Sequence, residues 1–282
     1  MPESLTKSEP IDVAMSADSN TELSQLSIVP PPPSTLRLDL DHTAIFLDVD
    51  GTLLDIAPTP LEVRVPQHLS LALERLSARM GGAIAFITGR PVAEIDRIFH
   101  PLRMPAAGGH GAEIRLTPKD NIHRSRIATL DDELREDLTR IGELDSGIIV
   151  EDKGFSLAIH YRQAPQFGRE VMEHIVHICR SERCESLEVL PGKLVVEIKP
   201  SGYDKGTGLR ELMSNPPFAG RRPIFIGDDV TDNAAFAVLP DFNGIGISVG
   251  GPVPGASYNF DHPQDVRLWL ERLSRQDDRE RR

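Results

Sequence analysis

Apolar residues fall in this chain into short unbroken runs and longer periodic stretches. Thr43-Ala44-Ile45-Phe46-Leu47 and the run from Ala83 to Thr88 are continuous, and each ends in an acid, a hydroxyl or a glycine. Such runs predict strands buried on both faces. Between them Leu69, Leu73, Leu76 and Met80 recur at helical spacing after Pro66, so 66–80 predicts a helix that Gly81-Gly82 stops. Gly89-Arg90-Pro91 turns into a second helix over 91–99. Fully apolar strands alternating with helices predict a parallel sheet covered on both faces. The pattern returns late in the chain. A helix over 206–213 is followed by a strand at 222–227, a helix at 231–238 and a strand at 245–249. A last helix at 264–273 carries Val266, Leu270 and Leu273 on one side.

The middle reads differently. A strand at 112–116 leads to a helix at 130–144, strands at 147–152 and 155–162, a helix at 165–183, and strands at 186–190 and 193–199. Lys153-Gly154 and Pro191-Gly192 are turn pairs that join hairpins. This order predicts an antiparallel sheet with two helices, an α+β unit. The fold class is therefore α/β: a doubly wound, parallel-sheet (Rossmann-like) core with an inserted α+β cap domain. The core occupies 41–113 and 201–275, and the cap 114–200. Residues 1–40 hold two basic and six acidic residues, no aromatic residue and the run Pro30-Pro31-Pro32-Pro33. They predict a disordered Pro-rich tail. The charged end, 276–282, is a frayed C-terminal tail.

Composition narrows the classes. The 282 residues suit one large domain or two smaller ones, and 39% hydrophobic with 26% charged is ordinary globular usage. No run approaches the roughly 18 apolar residues of a membrane helix. The first twenty residues lack a basic and then apolar leader pattern. Cys179 and Cys184 are too few for a disulfide framework and suit a reducing, cytoplasmic setting. A balance of 31 basic against 43 acidic residues, net −12, argues against a nucleic-acid partner.

The chemistry-bearing residues lie at strand ends, where open parallel sheets bind ligands. Asp48-Val49-Asp50-Gly51-Thr52 closes the first strand. Its paired carboxylates can bind a hard divalent cation or do nucleophile and acid–base work. Gly227-Asp228-Asp229-Val230-Thr231-Asp232 closes another. Two acid clusters on one sheet edge repel unless a metal or protons neutralise them, and Mg2+ with oxygen ligands is the economical answer. Thr88-Gly89-Arg90 offers a hydroxyl and backbone N–H groups that can hold a phosphoryl oxygen, a weak signal alone. Lys205 opens a helix, where a cation opposes the dipole, so it needs an anionic partner.

Taken in chain order, these four stretches resemble the signatures of the haloacid dehalogenase-like phosphohydrolases. The resemblance implies that Asp48 attacks phosphorus and that Asp50 protonates the leaving oxygen and then activates water. It implies Mg2+ held by Asp48, the Asp50 carbonyl and Asp228. Thr88 and Lys205 would hold the phosphoryl oxygens, and Asp229 and Asp232 would support the metal or Lys205. The net charge is then no obstacle to a phosphorylated ligand, because five of the acids belong to one ion's site.

Further stretches resemble the trehalose-6-phosphate phosphatase family from near residue 43 to near 273. They are Gly109-His110-Gly111-Ala112-Glu113, Glu151-Asp152-Lys153-Gly154, His160-Tyr161-Arg162 and Val196-Glu197-Ile198-Lys199-Pro200. Thr88 stands where that family usually has serine and keeps the hydroxyl; Asn233 stands where glutamate is common. Candidate substrate contacts are Gly89, Arg90, His110, Glu113, Lys153, His160, Arg162, Glu197 and Lys199. Alternation sets Lys193, Val195, Glu197 and Lys199 on one face, and His160 with Arg162 on another. His174, His177 and Cys179 do not share a helix face and are read as structural. The resemblance implies hydrolysis of trehalose 6-phosphate, with a trehalose-phosphate synthase as candidate protein partner. A phosphatase for another sugar phosphate (glucosylglycerol or mannosylglycerate phosphate), a phosphotransferase, and a non-catalytic sugar-phosphate sensor are the alternatives.

Overall fold

The computed structural model describes residues 30–33, 36–56, 64–124, 130–179 and 186–275. Strand β1 (Thr43–Leu47) is buried along its whole length, as a strand with both faces covered must be. It is followed by α1 (Gln67–Arg79), β2 (Ile84–Ile87), α2 (Val92–Ile98), β3 (Ala106–Gly108), β4 (Glu113–Arg115) and β5 (His123–Arg124). Next come α3 (Asp132–Thr139), β6 (Ile149–Asp152), β7 (Leu157–His160), α4 (Gly168–Ile178), β8 (Leu187–Gly192) and β9 (Val195–Pro200). The chain closes with α5 (Lys205–Met213), β10 (Arg222–Gly227), α6 (Asn233–Val238), β11 (Ile245–Val249), β12 (Tyr258–Phe260) and α7 (Pro263–Arg275).

Eight strands form one sheet in the order β12-β11-β10-β1-β2-β3-β4-β5. Every pair from β12 to β3 is parallel. The chain winds outward from β1 through β2 to β3, then restarts at β10 on the other side of β1. The β1/β10 seam is thus the topological switch point, the place in such sheets where ligands bind. The other four strands form an antiparallel sheet, β6-β7-β9-β8. Each sheet has its own apolar cluster. In the smaller one Leu134 and Leu138 of α3 and Val171 and Ile175 of α4 cover Leu157, Ile159, Val196 and Ile198. In the larger one Val266, Leu270 and Leu273 of α7 join the strand residues, as their spacing predicts. The Arg267 guanidinium donates to the Leu53 carbonyl at 2.9 Å, tying α7 to the loop after Asp48. Among the described residues, no helix is long and apolar enough to cross a membrane.

The structure corrects several boundaries. The strand expected at 112–116 as the start of the inserted unit is β4, which pairs antiparallel with β3 in the larger sheet. That sheet continues to β5, so a boundary at residue 113 falls too early. Asp120 accepts from the Thr117 N–H at 2.9 Å and closes the reversal between β4 and β5. The anchor of β4 is Arg115, fully buried, which pairs with Asp96 of α2 at 2.6 and 2.7 Å and donates to the Met104 carbonyl. The helix expected over 130–144 ends at Thr139 and tightens into a 3-10 turn, Arg140–Leu144. The helix expected from 165 begins at Gly168, after a 3-10 turn at Pro165–Phe167. Residues 180–183 of that reading lie outside the described residues. The last hairpin turns at Lys193-Leu194 rather than at Pro191-Gly192, because Gly192 pairs with Val195 and Leu194 takes the left-handed conformation.

The tail reading also changes near its end. Residues 1–29 and 276–282 lie outside the described residues. Leu40, however, is buried, and Leu36 and Leu38 pack on the larger core. The Pro31 carbonyl accepts from the Asn259 N–H of the edge strand β12 at 3.1 Å. A proline-rich segment beside an edge strand blocks further strand pairing there.

Candidate active site

β1 and β10 deliver the two acid clusters to the seam. Asp48 follows β1 directly, and its N–H donates to the Ile226 carbonyl at 2.9 Å, which fixes the end of β1 against β10. Gly51 then turns the chain with φ +83°; a Cβ there would lie 2.1 Å from the Asp228 Oδ2, so only glycine lets the clusters approach. Thr52 donates its hydroxyl to Asp228 at 3.1 Å. Carboxylate oxygens of Asp48, Asp228 and Asp232 all lie within 4.8 Å of one another.

Lys205 enters from the N-terminus of α5, where Asp204 and Thr207 cap the helix reciprocally. Its buried Nζ donates to Asp48 at 2.7 Å and to Asp232 at 2.6 Å. Burial alone would depress the ammonium, but Asp232 and Asp48 outweigh it and hold Lys205 above its ordinary pKa. One lysine does not neutralise three acids. Burial pushes the Asp48 carboxyl well up, and Asp232 and Asp228 add to the rise against the pull of Lys205. Burial, then Asp232, push Asp228 up to about 6. Asp232 has both oxygens engaged, one with Lys205 and the other with the N–H groups of Asp228 and Asp229 at 2.9 and 3.0 Å. Asp48 and Asp228 are therefore the acids left to face a cation, and oxygen donors this crowded suit a small, hard divalent ion. Asp229 accepts from the Val230 N–H at 2.7 Å and lines the adjoining cleft.

Asp50 points into the adjoining cleft. Arg90 grips it with two hydrogen bonds, 2.5 Å from Nε and 2.7 Å from the terminal nitrogen, and Glu94 of α2 holds the far side of the guanidinium. Buried Thr88 follows β2 directly, and its oxygen accepts from the Arg90 N–H at 3.1 Å, which keeps the Thr88-Gly89-Arg90 turn tight.

The cleft lies between the two sheets and measures about 630 Å3. Of the expected site residues, Asp50, Arg90, Lys153, His160, Arg162, Asp228 and Asp229 line it. Four expected substrate contacts are occupied elsewhere. Glu113 accepts from the Val92 N–H at 2.7 Å and satisfies the start of α2. Lys199 donates to Glu188 at 2.7 Å and to the Tyr203 carbonyl. His110 and Glu197 meet each other, Nε2 to Oε2 at 3.2 Å. The family resemblance brought these four to attention, with alternation added for Glu197 and Lys199, but a buried polar side chain takes the partner it has, and sequence does not reveal that partner. Sequence reasoning left out Glu151, which lies 2.9 Å from His160 and shares the cleft with Lys153. Its position two residues before Lys153 puts both on one face of the chain, a usable signal. The opposite wall, Val249–Val253 and Asp261–Pro263, was also left out. It follows the ends of β11 and β12, where the strand-end rule would have directed attention.

Glu197 gives a measurable consequence. Burial would raise its pKa, but Lys153 and His110, with the Ser156 hydroxyl, outweigh burial and leave it lowered. A lowered carboxylate adds stability that is present above the ordinary glutamate pKa and is lost as pH falls below it. Glu197→Gln should therefore flatten the acid limb of the stability curve, read by denaturant melts from pH 7 to pH 3. An unchanged acid limb would count against the pairing.

Comparisons with known proteins place the chain in a family. A family model described as trehalose-phosphatase matches residues 46–256. A probable trehalose-phosphate phosphatase of Sinorhizobium fredii is 41% identical over 223 residues, covering 79% of this chain and 83% of the relative. The chain belongs to the trehalose-phosphatase family. The family's trehalose-6-phosphate phosphatase of Escherichia coli is 38% identical over 236 residues, covering 82% of this chain and 86% of that protein. In fold, the C-terminal domain of C. albicans trehalose-6-phosphate phosphatase superposes with a TM-score of 0.74 at 20% identity, covering 87% of this chain and 98% of that one. The family match ends at residue 256, so it takes in the strands of the smaller sheet and Val249–Val253 of the opposite wall but not Asp261–Pro263.

Proposed function

We propose that this chain is an Mg2+-dependent phosphomonoesterase that converts trehalose 6-phosphate and water to trehalose and phosphate. The observation that carries the reading is the buried Asp48 carboxylate, held by Lys205 at the switch point and beside a polar cleft. An Asp48 oxygen attacks phosphorus, and the sugar O6 leaves with the proton that Asp50 provides. Asp50 then takes a proton from water, which attacks the aspartyl phosphate and releases phosphate with Asp48 restored. Lys205 and Thr88 hold the transferring oxygens. Asp48, Asp228 and the Asp50 carbonyl would hold Mg2+, which would supply positive charge to the acids and to the phosphoryl group. The division into a core and a cap belongs to this proposal. The four-stranded unit closes over the core, excludes water and reads the glucose rings with Glu151, Lys153, His160 and Arg162. Acids accept sugar hydroxyls, and lysine or arginine donates to them. A cytoplasmic location suits the substrate, and a trehalose-phosphate synthase is the protein partner implied.

The test is a panel of sugar phosphates with product analysis. Trehalose 6-phosphate should show the highest kcat/KM, at least about tenfold above monosaccharide phosphates, because the second ring adds contacts in the cleft. A preference for glucosylglycerol or mannosylglycerate phosphate would overturn the disaccharide reading. Phosphate transferred to a second sugar would overturn hydrolysis.

A further inference from the structure

His110 is the expected substrate contact whose surroundings point to a different task. Gly109, His110 and Gly111 all have positive φ, +56°, +54° and +99°, a left-handed turn that only glycine takes freely. This turn is laced to the phosphoryl-holding one. The His110 N–H donates to the Thr88 carbonyl at 3.0 Å, and the Gly109 N–H donates to the Arg90 carbonyl at 2.9 Å. The imidazole lies on Gly89 so closely that a Cβ there would be 2.6 Å from Nε2. On its other side, the same Nε2 is 3.2 Å from Glu197 on β9.

Glu197 belongs to the opposing unit. It also accepts from Lys153 at 3.0 Å and from the Ser156 hydroxyl at 2.7 Å, and Lys153 lines the cleft. Phe155, between those two, rests on Gly109, where a Cβ would be 2.4 Å from its ring. One buried imidazole therefore stands between the β6–β7 turn that faces sugar and the turn that carries Thr88.

We propose that His110 is a positioning residue that couples the sugar-reading unit to the Thr88-Gly89-Arg90 turn, so that a sugar engaging Lys153 sets the phosphoryl-holding turn through Glu197 and the imidazole. The proposal rests on the phosphatase reading above. It places His110 outside the set of groups that touch substrate.

The test compares two substrates in His110→Asn and His110→Gln. Asparagine tolerates the left-handed backbone but its amide does not reach Glu197; the glutamine amide can donate from near the Nε2 position. Trehalose 6-phosphate engages the inserted unit, whereas p-nitrophenyl phosphate offers it no sugar. In His110→Asn, kcat for trehalose 6-phosphate should fall at least about tenfold more than kcat for p-nitrophenyl phosphate, with little change in KM, and His110→Gln should recover most of it. A rise in KM with kcat unchanged would make His110 a sugar contact and overturn coupling. Equal falls on both substrates, or no fall on either, would also overturn it. Thermal melts confirm that both variants are folded. If the wild-type protein prefers another sugar phosphate, the substrate reading fails alone, and the same ratio is measured with the preferred substrate.

Discussion

Asp48→Asn protein is expected to release phosphate from trehalose 6-phosphate at least about 10^4-fold more slowly than the wild-type chain while staying folded. The amide has the carboxylate's shape but cannot attack phosphorus. Retention of the fold follows from the electrostatics. Asp48 is buried and crowded by Asp228 and Asp232, so its charge is costly where it sits. Removing that charge leaves Lys205 paired with Asp232 at 2.6 Å. The expected melting temperature is therefore within a few degrees of wild type. Turnover within a factor of about ten of wild type would sink the nucleophile assignment.

Lys205→Met is expected to lose both activity and stability, and the contrast with Asp48→Asn is what makes the pair informative. Methionine fills the stem's volume but leaves Asp48 and Asp232 buried without their shared cation. Breaking a buried pair from one side costs about 3–5 kcal/mol, because the remaining charge is uncompensated. For a domain of this size that is a fall of roughly 10 °C in Tm. Activity should fall as well, since the phosphoryl oxygens lose a fixed donor. Differential scanning calorimetry in chelator and a phosphate-release assay read the two losses. A melting temperature unchanged within about 1 °C would show that the carboxylates are neutralised some other way.

The parts of the fold that sequence made legible are those where pattern and burial coincide. Arg222–Gly227 and Ile245–Val249 match the expected strands residue for residue, because strands covered on both faces read as unbroken apolar runs. The acid clusters were legible because two carboxylate groups at strand ends have no cheap structural explanation. The edge of the larger sheet was not. β4 is three residues long and carries the buried Arg115, whose partners Asp96 and Met104 come from separate parts of the chain. β12 is equally short, so the cleft wall that follows it stayed hidden. His110, Glu113 and Lys199 show a different limit. Each has the chemistry of a ligand contact, and each satisfies a neighbour inside the protein instead. Pattern reports which side chains are polar; only the fold reports whether their hydrogen bonds are already made.

The most direct measurement is phosphate release from trehalose 6-phosphate beside glucose 6-phosphate, each with Mg2+ and with a chelator. The expected result is turnover of the disaccharide phosphate at least about tenfold above the monosaccharide phosphate, lost on chelation and restored by added Mg2+. Turnover that survives chelation, or that is equal on the two substrates, would contradict a metal-assisted phosphatase whose cleft reads both glucose rings.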